Sequence, residues 1–363
     1  MKKVSLCKLN PKTKPLALLK HTGIGLFLVL AGGVVGAQEN ALNLYSARHY
    51  QTDEALYENF TKTTGIKINR VEADDAGIVT RLKSEGQASP ADVVLLVDAT
   101  RLDKAAKEGL FKPIQSKVLQ EAIPAQYRAK PDAKGDVAWF GFSTRARVIV
   151  YDPARVKKED VLTYESLGDP KNKGKVCTRS GSHPYNLSLF GAMLEHLGEE
   201  KTEAWLKAVV ENMARAPKGG DTDQIKGVAS GECAIALANS YYVARIMRSQ
   251  KPEDQAIAQK ISVVFPNQAT LGTHMNIAGG GVAAQSPNTA NAVKFMEYLA
   301  SASAQQYFAD GNNEWPVVKG IDTGNAALKA MSGGGFKSEI IPVYMIGENQ
   351  TKVQQMLDKV GYR

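Results

Sequence analysis

Tyr241 and Tyr242 are adjacent in the run LANSYYVAR, where the apolar stretch 233–238 gives way to the helical spacing of Val243, Ile246 and Met247. Tyr50 follows the apolar run Leu42-Asn43-Leu44-Tyr45 and precedes the helix-like QTDEALYENF. Tyr185 follows Val176-Cys177-Thr178 and precedes LSLFGAMLEHL. Each of these tyrosines therefore stands where a strand pattern hands over to a helix pattern. In open α/β sheets, ligands bind in the crevice outside the carboxyl ends of the strands. Four phenol oxygens at such exits, with His49 beside Tyr50, form an oxygen-rich donor set suited to a hard, highly charged cation. Ferric iron is the leading candidate. A phenol titrates near ~10, so a tyrosinate at neutral pH requires a strong positive charge beside it.

The ordinary role of a lone tyrosine is an aromatic body that packs while its hydroxyl stays wet. Tyr45, Tyr57, Tyr127, Tyr151, Tyr164, Tyr298, Tyr307 and Tyr344 take that reading. Tyr241 and Tyr242 depart from it, because neighbouring core residues rarely both need hydroxyls at a helix start. His49 is read either as a ligand or as a hydrogen-bonding neighbour of the metal. His183, before Pro184, is read as ordering the loop that carries Tyr185.

These side chains need a frame to hold them. Apolar β-rich runs fall at 42–47, 65–71, 92–97, 139–143, 148–151, 175–179, 232–238, 261–265 and 275–284. Helical patterns fall at 52–63, 77–85, 100–108, 187–197, 201–213, 221–230, 242–249, 289–300 and 303–310. Their alternation predicts α/β lobes with mostly parallel sheets. Asn239-Ser240 is placed to cap the helix bearing the tyrosine pair. The triplet Gly279-Gly280-Gly281 has no following helix start and no lysine, so it reads as a bend or a close backbone approach rather than a phosphate cradle.

The first 37 residues hold six lysines and no acid, then an apolar stretch from Gly23 to Gly36 and a small-residue exit at Val35-Gly36-Ala37. That order is a secretory signal peptide, cleaved near Ala37, and it places the remaining chain in the periplasm. The apolar run is short and glycine-rich for a membrane span. The whole chain has a net charge of +8, but without residues 1–37 the 39 remaining basic residues face 37 acidic ones, a net +2. The basic excess thus belongs to the signal and does not argue for nucleic acid. Cys177 and Cys233 remain after export, and each stands eight residues before a site tyrosine, Tyr185 and Tyr241. In an oxidising compartment the pair predicts a disulfide clamping two neighbouring strands.

The chain contains no H-E-x-x-H, paired C-x-x-C, G-x-S-x-G or Walker A sequence. A secreted enzyme using Tyr and His as acid and base, and a binding protein for an anion, polyamine or other small solute, stay open as alternatives on the residues alone.

The runs NLYSARHYQTDEALYENFTKTTGIKI, ADVVLLVDATRLDKAAKEGLF, STRARVIVYDP, RSGSHPYNLSL, GECAIALANSYYVAR and HMNIAGGGVA, with the helix SPNTANAVKFMEYLASASAQQYFAD and NEWPV after them, cover most of the exported chain. In these motifs the chain resembles a periplasmic ferric-iron-binding protein of an ABC transporter, most like the cyanobacterial type. The resemblance implies a two-lobed periplasmic substrate-binding protein fold with hinge strands between the lobes. It implies a monomer that is not an enzyme and that delivers Fe(III) to a membrane permease. The N-terminal lobe is expected to comprise 38–141 and 270–318, and the C-terminal lobe 142–269 and 319–363. Motif by motif, it places iron ligands at Tyr50, Tyr185, Tyr241 and Tyr242, with His49 as a further contact and Arg145 as a basic residue near the metal. Arg145 and Arg245 are the candidates to offset the negative charge of several tyrosinates around one ferric ion. Where some relatives carry a His-x-Glu motif, His49 here is followed by Tyr50 and Gln51. Either a carboxylate or an external anion is left to complete the shell.

Overall fold

Residues 40–48 and 51–363 are described by a computed structural model. The expected signal segment and two of the expected ligands, His49 and Tyr50, lie outside the described residues. The strands are β1 (Ala41–Ser46), β2 (Lys67–Glu72), β3 (Val93–Val97), β4 (Phe111–Lys112), β5 (Phe140–Tyr151), β6 (Val176–Cys177), β7 (Ile235–Asn239), β8 (Ser262–Val264), β9 (Met275–Ala283) and β10 (Trp315–Pro316). The helices are α1 (Asp53–Thr64), α2 (Asp75–Glu85), α3 (Ala99–Lys107), α4 (Lys117–Ala122), α5 (Pro184–Leu197), α6 (Glu199–Glu211) and α7 (Asp221–Ser230). They continue with α8 (Ser240–Arg248), α9 (Pro252–Lys260), α10 (Thr289–Leu299), α11 (Ala302–Asn312), α12 (Ala326–Ser332), α13 (Val343–Glu348) and α14 (Gln350–Val360).

The sheet runs β2-β1-β3-β9-β5-β7-β6, with β4 on β9 and β8 and β10 on β5. Its strands are mixed in direction, which corrects the expectation of mostly parallel sheets. β1 is parallel to β2 and β3, and β6 is parallel to β7, but β9 and β5 run against their neighbours. The local alternation of strand and helix cannot reveal two antiparallel strands that enter the middle of a sheet from distant parts of the chain.

β5 joins the two lobes of the fold. Residues up to Ala146 pair with β9, and residues from Arg147 onward pair with β7. Around the first half lies a core that includes Leu42, Leu44, Phe60, Trp139 and Phe295. Around the second half lies another that includes Ile149, Phe190, Trp205, Leu206 and Leu357. Spacing suggests two strands here, 139–143 and 148–151, because Ser143, Thr144, Arg145 and Arg147 interrupt the apolar pattern. The structure makes one strand whose twelve residues are all buried. Several of its polar groups find partners inside: Ser143 donates to Glu314 at 2.7 Å, Thr144 donates to the Trp315 carbonyl at 3.2 Å, and Arg147 pairs with Asp221 at 2.6 Å.

The glycine triplet lies within β9, and a Cβ at Gly279, Gly280 or Gly281 would sit 2.4 Å from the carbonyl oxygen of Phe140, Val94 or Ala138 respectively. Close backbone approach is what the glycines allow, as the sequence suggests. Residues after Asp310, to which spacing assigns no element, hold α12 to α14. Helix α9 also goes unanticipated, because none of its residues is buried and it therefore has no apolar stripe.

Cys177 and Cys233 are joined in a disulfide with Cα atoms 5.8 Å apart across 56 residues of sequence. Cys177 ends β6, and β7 begins two residues after Cys233, with Cys177 opposite Ala236 in the parallel register. The bridge therefore fastens the two strands that lead into α5 and α8. The double variant Cys177→Ala/Cys233→Ala is expected to lower unfolding free energy by about 2–4 kcal/mol, since the link closes a long loop in the unfolded chain. Urea unfolding with and without reductant measures it. An equal midpoint in all cases would mean that the bridge contributes nothing.

Candidate functional site

Because β6 and β7 are parallel neighbours, the helices that follow them start at the same edge of the sheet. Pro184 is the first residue of α5, a position where its missing N–H costs nothing, and Tyr185 is the second. Spacing begins this helix at Leu187, and Pro184 is the signal that moves its start upstream. Ser240 is the first residue of α8, and Tyr241 and Tyr242 complete its first turn. The hydroxyls of Tyr185 and Tyr241 are 3.2 Å apart, although the residues are 56 positions apart in the chain. The rings of Tyr241 and Tyr242 pack at 4.2 Å between centroids. Tyr185 and Tyr241 are buried, and Tyr242 is half-buried.

His183 caps α5: its Nδ1 accepts from the Tyr185 N–H at 3.2 Å, and its ring meets the Tyr185 ring edge-on at 4.6 Å. Burial first, then the positive charges of Arg179 and Arg147, pushes its imidazole down to about 3, which keeps it neutral and able to accept. The loop-ordering role expected of His183 holds. The expected Asn239-Ser240 cap takes another form. Asn239 is at the cap position, but its side chain accepts from Arg147 at 3.1 Å, and the Ser240 hydroxyl accepts from the Ala146 N–H at 3.2 Å. Both side chains tie the start of α8 to β5 instead of closing the helix end.

Three guanidinium groups surround the Tyr185 ring. Arg179 lies 5.0 Å from its centroid, Arg145 5.4 Å and Arg147 6.0 Å. Arg245, the other candidate to offset the charge, is exposed and lies 5.1 Å from the Tyr242 ring while donating to Thr222. Burial pushes the Tyr185 phenol above its ordinary range, and the Arg145 charge pulls it back in part. The phenol therefore keeps its proton until a stronger positive charge arrives.

Two buried carboxylates hold the arginines. Asp221 accepts from Arg147 at 2.6 Å and from Arg179 at 3.1 Å. Glu314 pairs with Arg145 at 3.6 Å and with Arg48 at 3.3 Å, and Arg48 also pairs with Asp53 at 2.8 Å. Glu314 thus links Arg48, one residue before His49, to the arginine over Tyr185. Sequence reasoning found Arg145 but missed Arg147, Arg179, Asp221 and Glu314. Arg147 had a signal, since residues two apart in a strand face the same side. The two acids and Arg179 had none, because each comes from a separate segment. Among the described residues no three His, Cys, Asp or Glu side chains gather to hold a metal, and the oxygens brought together are phenols.

A two-lobed α/β fold with convergent donors at strand ends defines a solute-binding protein. The family of bacterial extracellular solute-binding proteins matches residues 55–331, and the chain belongs to it. It is 44% identical over 326 residues to iron uptake protein A1 of Synechocystis sp. PCC 6803, covering 90% of this chain and 88% of that protein. Among solved structures it is similar to the Trichodesmium protein IdiA (FutA) in complex with iron and citrate, with 48% identity, a TM-score of 0.84, and coverage of 89% of this chain and 100% of that one. It is also similar to apo FutA2 of Synechocystis PCC6803, with 41% identity, a TM-score of 0.83, and coverage of 90% and 100%.

Removing the acid shared by Arg48 and Arg145 takes away the carboxylate that both guanidiniums face in a fully buried setting. Glu314→Ala is expected to cost about 3–5 kcal/mol of stability, the range for breaking a buried pair from one side. Urea unfolding checks it, and a loss below about 1 kcal/mol would place Glu314 among ordinary surface pairs.

Proposed function

We propose that the exported chain captures ferric iron and delivers it to the membrane permease of an ABC-type uptake system, working in the periplasm as a binding protein and not as an enzyme. The observation that carries this reading is the 3.2 Å approach of the Tyr185 and Tyr241 hydroxyls at the exits of two disulfide-linked parallel strands, with Tyr242 packed beside them. The similarity to iron uptake protein A1 and to the iron- and citrate-bound Trichodesmium protein supports it.

In this reading Tyr185, Tyr241 and Tyr242 hold the iron from the C-terminal lobe, and Tyr50 and His49 are added from the N-terminal lobe. Support for the last two is the motif resemblance. The proposed lobes are 38–141 with 270–318, and 142–269 with 319–363. Their support is the change of partner along β5, from β9 to β7, between Ala146 and Arg147. Four tyrosinates around Fe(III) leave a cluster charge of −1. Arg145, fully buried and 5.4 Å from the Tyr185 ring, is positioned to offset it. Donors split between two lobes make the closed state the tighter one, so binding favours closure.

Titration with ferric citrate should produce a visible tyrosinate-to-iron band that saturates near about one equivalent. Tyr241→Phe and Tyr242→Phe keep the rings and delete only the oxygens, so each should weaken binding and move the band while the fold persists. A colourless protein without iron by elemental analysis would refute the assignment. Iron affinity equal to wild type in both variants would remove the pair from the ligand set.

Acid should release the iron. Burial raises the Tyr185 phenol in the empty site, so its proton must leave on loading and competes more strongly as pH falls. Affinity is therefore highest at neutral to alkaline pH and declines on acidification. Loading followed at constant pH should consume base, and Tyr185→Phe should reduce that consumption by about one proton per iron. Identical proton release from variant and wild type would show that this phenol is not ionised by the metal.

A further inference from the structure

We propose that Asp221 is a positioning residue of the tyrosine site. This rests on the ligand reading above and extends it to a residue that touches no proposed ligand through its own side chain. Asp221 is buried, and its partners all lie outside the helix it begins. One oxygen accepts from Arg147 Nη1 at 2.6 Å and from the Asn239 N–H at 2.7 Å, and the other accepts from Arg179 Nη1 at 3.1 Å.

These contacts reach both tyrosine-bearing turns. Asn239 stands two residues before Tyr241, and Asp221 fixes its backbone directly. Arg147, held by Asp221, donates from Nη2 to Asn186 Oδ1 at 2.8 Å, and Asn186 is the residue after Tyr185. Asn186 in turn donates to the Thr178 hydroxyl and to the carbonyls of Arg179 and Ser180, which closes the loop between β6 and α5. A single carboxylate thereby ties β5, the exit of β6, the start of α5 and the exit of β7. It also orients two of the three guanidiniums over the Tyr185 ring. A buried network of this kind fixes geometry because the bonds that Asp221 accepts from Arg147, Arg179 and Asn239 form together only in one arrangement.

A role confined to helix stability is the competing explanation, since Asp221 lies in the first turn of α7. That task has its own residue: Asp223 accepts from the Gly220 N–H at 2.7 Å and closes the helix end. Asp223→Asn is therefore the matched control, disturbing the same helix end without touching the arginines.

The experiment loads the full exported protein with ferric citrate. It records the position of the visible band, the iron affinity in competition with citrate, and the urea midpoint. Asp221→Asn is expected to shift the band and to weaken iron binding by about tenfold or more, the usual effect of losing an outer partner of a metal site. Asp223→Asn is expected to lower the midpoint while leaving band and affinity as in wild type. Asp221→Asn with a lowered midpoint but a wild-type band and affinity overturns the proposal. If Asp221→Asn does not fold, Arg179→Gln takes its place, because that side chain is 14% exposed and leaves the Arg147 pair intact. A band shift in Arg179→Gln supports the proposal, and an unmoved band overturns it. Tyr185→Phe, measured alongside, separates the two levels. A band moved by Tyr185→Phe but not by the Asp221 or Arg179 variant overturns positioning alone. A band moved by none of them overturns the ligand reading and positioning together.

Discussion

A phenol holds its proton at neutral pH, and burial makes it hold harder. The groups around Tyr185 answer that constraint. The two hydroxyls are placed in hydrogen-bonding contact, which an empty site tolerates only while at least one proton remains between them. A cation that displaces those protons must outweigh both the desolvation of phenolate and the mutual repulsion of several phenolates. A hard trivalent ion has the charge to do so; softer or less charged ions have less.

The arginines lower that barrier without removing it. Three guanidiniums lie within 6.0 Å of the Tyr185 ring centroid, permanently charged and not hydrated as they would be in water. Left alone, three such charges would make the empty site costly to fold. Asp221 and Glu314 offset them and, in doing so, decide where each guanidinium points. The site is therefore built from two layers with different tasks. In the proposed reading the phenols meet the ion, and the ion pairs behind them set the charge around the Tyr185 ring.

Position along the sheet sets how the proposed donors relate to the rest of the fold. The disulfide and the parallel register of β6 with β7 make the tyrosine-bearing end of one lobe a rigid unit. β5 runs on from that unit to pair with β9, so one strand is shared between the two halves of the sheet. Glu314, bonded to Arg145 and to Arg48, ties β5 to the segment after β1 through charge, just before β5 changes partner from β9 to β7.

Much of this was legible from the chain itself. Strand-to-helix exits, the tyrosines at them and the paired cysteines are local patterns, and each depends only on residues a few positions apart. The cysteine pair pointed to neighbouring strands, and β6 and β7 do pair in parallel, although Cys177 lies opposite Ala236 and not opposite Cys233, so the equal eight-residue offsets do not set the register. Spacing misjudged β5, where buried arginines mimic a break, and it gave no sign that β5 and β9 run against their neighbours. Nor could it find Asp221 or Glu314 among 37 acidic residues, since an acid becomes a partner of Arg147 or Arg145 only when distant segments meet. Sequence by itself determined which donor groups the chain owns and where each leaves its strand. Tertiary structure alone decided which charges surround them, because electrostatic environment is a property of distances in space and has no local pattern in the chain.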